Sequence, residues 1–144
     1  MFNDFKPHID RLRSLGLRST KQRLAICKIL FDRPKTFHFT IEHLKKVVEK
    51  NIKNKISLAT LYNTIHAFKK NGYLKEISLK GNKTFFDTNT KTHHHFYDQD
   101  TGELLDIKEE DISLSKVPNA PTGKKVKEIE ITVRVATDNH IQEK

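Results

Sequence analysis

Apolar residues recur at helical spacing along the first part of the chain. Phe5, Ile9 and Leu12 are separated by four and then three positions, which places them on one face of a first helix. Ser19 and Gln22 have the spacing of a capping box, so a second helix is predicted to begin after Ser19 and to end near residue 31. The inward side chains of this second helix are predicted to be Leu24, Cys27 and Phe31.

Two more helices are predicted before residue 71. Thr40 opens the third helix, in which Ile41, Leu44 and Val48 recur on one face. Ser57 opens the fourth helix, which is predicted to continue to about residue 70. Its apolar stripe consists of Leu58, Leu61, Ile65 and Phe68.

A β-hairpin is predicted directly after the fourth helix. Residues 73–79 and 83–87 are two strand-like runs that flank the turn Lys80-Gly81-Asn82. Helices joined by short turns and followed by a basic hairpin are typical of a winged helix-turn-helix. We therefore expect residues 1–88 to form a DNA-binding domain.

The fourth helix is the predicted recognition helix, because it follows a short turn and directly precedes the hairpin. A major groove admits one helix, whose polar side chains can reach base edges. Candidate DNA contacts on this helix, predicted to be exposed along it, are Ser57, Thr60, Tyr62, Asn63, Thr64 and Lys69. Candidate phosphate contacts are Arg18, Lys21, Arg23, Lys80 and Lys83. The alternative is an ordinary amphipathic helix with a solvated polar face.

The charge is divided unevenly along the chain. Residues 1–82 carry 18 Lys and Arg against six Asp and Glu, a net charge of +12, whereas residues 83–144 carry nine against 12, a net charge of −3. A basic half neutralises phosphates and releases counterions, so this division favours nucleic-acid binding by the first half.

The second half has the pattern of a small α+β domain, predicted for residues 89–144. Residues 104–107 form a short apolar strand, and residues 128–135 alternate strictly between polar and apolar side chains. An amphipathic terminal strand in so small a domain would be more stable packed against a second copy. We therefore expect a homodimer, whose two recognition helices would match two DNA half-sites.

Three consecutive histidines, His93, His94 and His95, follow the hairpin. In an extended segment His93 and His95 point to one face, and two imidazoles at this spacing can bind one metal such as Zn²⁺, Fe²⁺, Co²⁺ or Mn²⁺. Asp87 and His38 are candidate further ligands, which would tie the two halves together through the metal. The alternative is a polar histidine run that titrates near neutral pH and binds nothing.

The remaining histidines and the single cysteine carry no such pattern. His8, His43, His66 and His140 are interpreted as surface residues, and Cys27 as an inert core residue. One thiol excludes an intrachain disulfide, and no signal peptide or membrane span is visible. We therefore expect a cytoplasmic protein.

The motifs resemble those of the ferric uptake regulator family, and most closely its iron response regulators from alphaproteobacteria. The resemblance covers nearly all of residues 10–135. It is carried by the histidines and by residues 15–23 (LGLRSTKQR), 57–64 (SLATLYNT), 83–89 (KTFFDTN), 103–107 (ELLDI) and 114–118 (LSKVP).

This resemblance implies a dimeric winged-helix regulator that acts on operators of iron and haem genes. It implies a base contact for Tyr62, a groove or backbone contact for Arg18, and a metal site of His38, Asp87, His93 and His95 that takes Fe, Mn or Zn. The histidine run is also associated with haem, with His94 as a further candidate, so haem and a haem-delivering protein are candidate partners.

The chain also departs from the wider family. Residues 98–101 are Asp-Gln-Asp-Thr where the family has Cys-x-x-Cys, so a four-cysteine structural zinc is impossible. Cys27 is followed by Lys28 rather than by proline, which argues against haem ligated by a thiolate. Haem ligated by histidine stays open.

Three alternatives compete with an iron- or haem-responsive regulator. One is a regulator of the same fold that senses peroxide or another metal, in which bound Fe²⁺ promotes oxidation of a ligand histidine. Another is a purely structural DNA-binding protein with incidental histidines. A metal-dependent hydrolase is disfavoured, because the sequence offers neither a Ser/His/Asp signature nor a glycine-rich phosphate loop. We therefore expect no enzymatic activity.

Overall fold

The computed structural model describes residues 5–79, 81 and 83–139. Two of the sequence predictions, Lys80 as a phosphate contact and His140 as a surface residue, lie outside these residues. The chain divides into two units, Met1–Thr90 and Lys91–Lys144.

The first unit contains four helices: α1 (Lys6–Ser14), α2 (Lys21–Phe31), α3 (Ile41–Ile52) and α4 (Leu58–Lys70). Their N-caps follow the sequence closely. The side chains of Thr40 and Ser57 accept hydrogen bonds from backbone N–H groups at the start of α3 and α4, as predicted. For α2 the prediction was wrong by one residue: Thr20, not Ser19, accepts the capping bond from the Arg23 backbone.

Three strands complete the first unit: β1 (His38–Phe39), β2 (Lys75–Ser78) and β3 (Thr84–Asp87). Both outer strands pair antiparallel with β3, and the predicted hairpin is confirmed as β2–β3. Its register runs from Lys75 with Asp87 to Ser78 with Thr84, and beyond it the Leu79 backbone N–H donates to the Lys83 carbonyl at 2.9 Å, so the chain pairs up to the residues that flank the predicted turn. With the helices, this sheet confirms the winged helix-turn-helix.

The core of the first unit lies between the four helices and the inner face of the sheet. Ile26, Cys27, Leu61, Ile65 and Phe68 are fully buried there. Leu58 was predicted to belong to the apolar stripe of α4 but is 50% exposed, because it occupies the first turn of the helix, beyond the core.

His8 was predicted to be a surface residue, and this prediction was wrong. Its side chain is buried on α1, with Nε2 3.0 Å from Oδ1 of Asp32 and Nδ1 2.9 Å from the guanidinium of Arg11. Arg11 is the hydrogen-bond partner of Nδ1, whereas Asp32 is a close carboxylate neighbour of Nε2 without hydrogen-bond geometry. His43 and His66 are exposed, as predicted.

The second unit is built on a three-stranded sheet: β4 (His94–Asp98), β5 (Leu104–Ile107) and β6 (Thr132–Val135). The central strand β4 pairs antiparallel with β5 and parallel with β6, and a 3-10 turn spans Glu109–Asp111. The two units together confirm the predicted α+β class.

The terminal strand is shorter than the predicted eight residues. Only Thr132–Val135 pair with β4. The Ile131 backbone N–H donates to Nδ1 of His94 at 3.0 Å, so a side chain replaces a strand carbonyl and ordinary pairing stops there. Val133, which the alternation places on the apolar face of this strand, is 37% exposed.

Candidate metal centre and nucleic-acid interface

The second unit brings two of the predicted metal ligands together. His93 and His95 flank the start of β4, and their ring centroids lie 4.2 Å apart. Alternation along an extended segment puts both side chains on one face, as the sequence predicted. His95 is buried and His93 half-buried.

Asp106 joins these two histidines, and the sequence interpretation missed it. It lies directly across from His95 in the β4–β5 register. Its Oδ1 is 3.3 Å from Nε2 of His95 and 3.4 Å from Nε2 of His93. One donor atom from each of the three residues falls within 4.8 Å of the others. The sequence signal that could have identified Asp106 is its position as the single charged residue in the apolar run Leu104–Ile107.

The hydrogen bonds of His93 suit a metal ligand. Its Nδ1 lies 2.8 Å from the carbonyl oxygen of Lys91, which can only accept, so Nδ1 carries the proton. In the neutral ring the Nε2 lone pair then points at the Asp106 carboxylate. A backbone carbonyl that fixes the tautomer in this way is the usual support for a metal-binding histidine.

Two imidazoles and a carboxylate therefore fit a divalent transition metal. Neutral imidazole with carboxylate suits Zn²⁺, Fe²⁺ or Mn²⁺. A cation between the donors would be bound by the carboxylate and the two imidazole nitrogens together. His94 is oriented differently, because its Nδ1 accepts the hydrogen bond from Ile131 in β4–β6 packing.

The other two predicted ligands, His38 and Asp87, belong to the first unit, where they are neighbours. They are partners in the β1–β3 register. Asp87 is buried, and its Oδ1 accepts a hydrogen bond from the Asn89 backbone at 2.8 Å. His38 is half-buried, with its ring edge toward Phe85 at a centroid distance of 6.2 Å.

The predicted recognition helix, α4, presents most of its candidate DNA contacts to solvent. Tyr62 and Asn63 are exposed, and Lys69 is exposed while forming a 3.2 Å ion pair with Glu76. Ser57 is exposed, but its hydroxyl is 2.8 Å from that of the half-buried Thr60. The Ser57 hydroxyl also caps the helix, because it accepts a hydrogen bond from the Thr60 backbone N–H at 3.1 Å.

Thr64 was predicted to be an exposed DNA contact, and the exposure was predicted wrongly. Its side chain is fully buried, and its hydroxyl donates to the Thr60 carbonyl one turn earlier at 2.7 Å. The polar side chain suggested an exposed position, but a threonine hydroxyl that donates to the carbonyl one turn earlier can lie on the inward face of a helix. Thr64 is therefore withdrawn as a DNA contact.

The candidate phosphate contacts cluster at the start of α2. Arg18 and Lys21 are exposed, and the half-buried Arg23 donates from its guanidinium to the Arg18 carbonyl at 3.1 Å. These side chains and Thr60 line an open cleft of about 490 Å³. Lys83, on the loop before β3, lies over the Phe85 ring at 5.4 Å.

Comparison with known proteins gives consistent matches. The model of the family described as "Ferric uptake regulator family" matches residues 14–134. The "Peroxide-responsive repressor PerR" of Staphylococcus aureus strain Mu50 is 31% identical over 105 residues, covering 73% of this chain and 69% of that protein.

Two solved structures illustrate the likeness of fold. The ferric uptake regulator of Vibrio cholerae has a TM-score of 0.65 and 21% identity, with 90% of this chain and 99% of that chain covered. The ferric uptake regulator of Pseudomonas aeruginosa, solved with manganese, has a TM-score of 0.62 and 20% identity, with 90% and 97% covered. Among the helices of the described residues, none is long and apolar enough to cross a membrane.

Proposed function

Because the chain belongs to the ferric uptake regulator family of metal-responsive transcriptional regulators, we propose that it controls genes of iron and haem homeostasis through its histidine site. Regulators of this family bind DNA and act as dimers. In this proposal a divalent metal held by His93, His95 and Asp106 is the signal.

The observation that carries the proposal is the convergence of these three side chains in the second unit. The Asp106 carboxylate approaches Nε2 of both histidines, and the Lys91 carbonyl fixes the tautomer of His93. A divalent ion at this point would be bound by one nitrogen from each imidazole and by the negatively charged carboxylate.

His38 and Asp87 are proposed as further ligands on the sequence argument. Their pairing on β1 and β3 supports the idea that they act together. A metal can favour the DNA-binding conformation only by binding it more tightly than the alternative conformation. The test is therefore whether DNA affinity and metal affinity change together.

The proposed DNA-binding surface combines α4 with the basic start of α2. Tyr62 and Asn63 are proposed to contact bases, with Ser57, Thr60 and Lys69 beside them. Arg18, Lys21, Arg23 and Lys83 are proposed to contact phosphates, which position the protein without specifying sequence. Replacing Tyr62 with alanine should weaken binding to the preferred sequence by about 1–3 kcal/mol.

The deciding experiment follows DNA affinity while the metal is varied. The wild-type protein first selects a preferred duplex from a random-sequence library. Fluorescence anisotropy then measures its affinity for that duplex in the metal-free state and with Mn²⁺ or Fe²⁺ under anaerobic conditions. We expect metal to change the affinity, and H93A/H95A to remove the change. Equal affinity in every state would contradict the proposal.

The finer proposal is that the protein resembles the iron response regulators and also responds to haem. The sequence of three histidines supports it, with His93, His94 and His95 as candidate ligands. Haemin titration followed in the Soret band, with the same labelled duplex present, tests the idea. Saturable binding that lowers DNA affinity and is lost in H93A/H94A/H95A would support haem sensing. Unsaturable haemin binding would leave the metal as the signal.

A second candidate signal is peroxide. The peroxide-responsive repressor of Staphylococcus aureus, at 31% identity, favours this possibility. In this case iron at the histidine site would promote addition of one oxygen atom from peroxide to a ligand histidine. Peptide mass spectrometry after peroxide treatment of the iron-loaded protein should show a gain of one oxygen on a peptide with a ligand histidine, either His38 or one of residues 93–95. No gain on any of these peptides would exclude this mechanism.

A further inference from the structure

An exposed histidine on α4 stacks on the residue proposed to contact bases. The rings of Tyr62 and His66 have centroids 5.8 Å apart and planes inclined by only 22°. The two residues are four positions apart on one helix face, where side chains meet. Both side chains are exposed, so burial in the core does not account for this parallel arrangement.

His66 also contacts the β2–β3 hairpin, which is the wing of this domain. Its ring meets Phe86 of β3 edge-on, with centroids 6.4 Å apart at 80°, and Phe86 stacks on Phe39 of β1 at 5.9 Å. Phe39 and Phe86 are both buried, so this pair provides a rigid support. Among the ring contacts of the described residues, His66 alone links the exposed Tyr62 to the buried aromatic residues of the sheet.

Tyr62 and His66 also line one wall of an open cleft of about 590 Å³ beside the wing. A tyrosine with one side open to a cleft of this size loses more orientational freedom on binding DNA than one already fixed by a neighbour.

We infer that His66 is a positioning residue, which holds the Tyr62 ring in the orientation that contacts DNA. The inference rests on the proposed DNA-reading role of Tyr62. His66 acts through its flat ring in this account, and not through a hydrogen bond to a base. Phe86 fixes His66, and His66 fixes Tyr62.

Two substitutions separate positioning from direct contact. Phenylalanine at position 66 keeps a flat ring but has no N–H group, whereas alanine removes the ring. For H66A we expect about a two- to tenfold loss of affinity for the selected duplex, the range that aromatic pairs contribute. H66F should keep affinity close to that of the wild type. Affinity for a scrambled duplex of equal length should change little in either variant.

A spectroscopic measurement reports the Tyr62 ring directly. In the free protein, the NMR signals of the Tyr62 ring should shift in H66A as the stacked neighbour is lost, and shift less in H66F. Thermal melting checks that both variants remain folded, as expected for an exposed position. Loss of affinity in both H66F and H66A would overturn the inference in favour of direct contact.

A double-mutant cycle with Tyr62 separates this inference from the proposed function. If Tyr62 is the residue that His66 positions, H66A should have no further effect in a Y62A background. Wild-type affinity in Y62A would contradict the proposed DNA-reading role and the inference together. If Y62A loses DNA affinity but H66A keeps the affinity of the wild type, the inference is overturned and the proposed function is not.

Discussion

The Oδ1 atom of Asp106 lies 3.3 Å from Nε2 of His95, across the pairing of β5 with β4. His95 is buried, whereas the Asp106 side chain is about half exposed, so the carboxylate can turn toward the imidazole or toward solvent. This pairing joins a ligand that the sequence predicted to one that it did not. It makes Asp106 as important to the proposed site as His93.

Removing Asp106 should therefore weaken metal binding as strongly as removing a histidine. We expect D106A and H95A each to lower Mn²⁺ affinity by at least about tenfold, because even outer-shell partners of metal ligands contribute that much. Isothermal titration of the metal-free protein measures the change.

The matched control for this experiment is H43A, which removes an exposed histidine from α3. It should bind Mn²⁺ as the wild type does. A D106A variant with unchanged affinity would show that the carboxylate is only a hydrogen-bond partner of the two imidazoles.

Lys21 provides a test of the proposed phosphate contacts. It is exposed in the first turn of α2, beside Arg18 and Thr20. If Lys21 neutralises one phosphate, K21A should reduce by about 0.9 the magnitude of the slope of the logarithm of the DNA-binding constant against the logarithm of the salt concentration. It should also weaken binding to the preferred and the scrambled duplex alike. K125A, which removes an exposed charge from the second unit, should leave the slope unchanged. Equal slopes in K21A and wild type would exclude the contact.

Local signals in the sequence predicted most of the first unit. Thr40 and Ser57 cap α3 and α4 through hydrogen bonds that span three residues, so their role is visible without knowledge of the fold. The alternation that places His93 and His95 on one face is local in the same sense. Such features depend on neighbouring residues alone and can be predicted from spacing.

The features that the sequence did not predict depend on contacts between distant residues. Asp106 becomes a candidate ligand only through its register with His95, and the buried His8 lies beside Asp32 at the end of α2. The terminal strand is shortened by the bond from Ile131 to His94, which are 37 residues apart. Composition and periodicity contain no information about these pairings.

Cys27 should be inert toward thiol reagents in the folded protein. Its side chain is fully buried, and burial raises the pKa of the thiol to about 11, although Arg11 nearby opposes the shift. Since the thiolate is the nucleophile, iodoacetamide at pH 8 should leave the native protein unmodified and alkylate it in urea. Intact mass spectrometry distinguishes the two results. Rapid alkylation of the native protein would instead identify Cys27 as a thiol accessible to oxidants.

The Asp100 carboxylate connects the turn between β4 and β5 to the segment that follows β6. Oδ2 of Asp100 accepts a 2.6 Å hydrogen bond from the Thr137 backbone N–H, and Oδ1 of Asp98 accepts bonds from the Asp100 and Thr101 backbone. The bond from Thr137 lowers the pKa of the Asp100 carboxyl below its ordinary value. The ionised carboxylate therefore stabilises this connection.

This direction of the pKa shift fixes how the connection should depend on pH. Because the folded pKa is depressed, the stabilisation is complete above the ordinary aspartate pKa of about 3.9 and is lost as pH falls through the lower folded value. The Thr137 amide proton should shift upfield in NMR spectra over this acidic range. At pH 6, D100A should exchange the Thr137 amide faster than the wild type, whereas E110A, on the exposed 3-10 turn, should not. Unchanged exchange in D100A would show that other contacts hold residue 137.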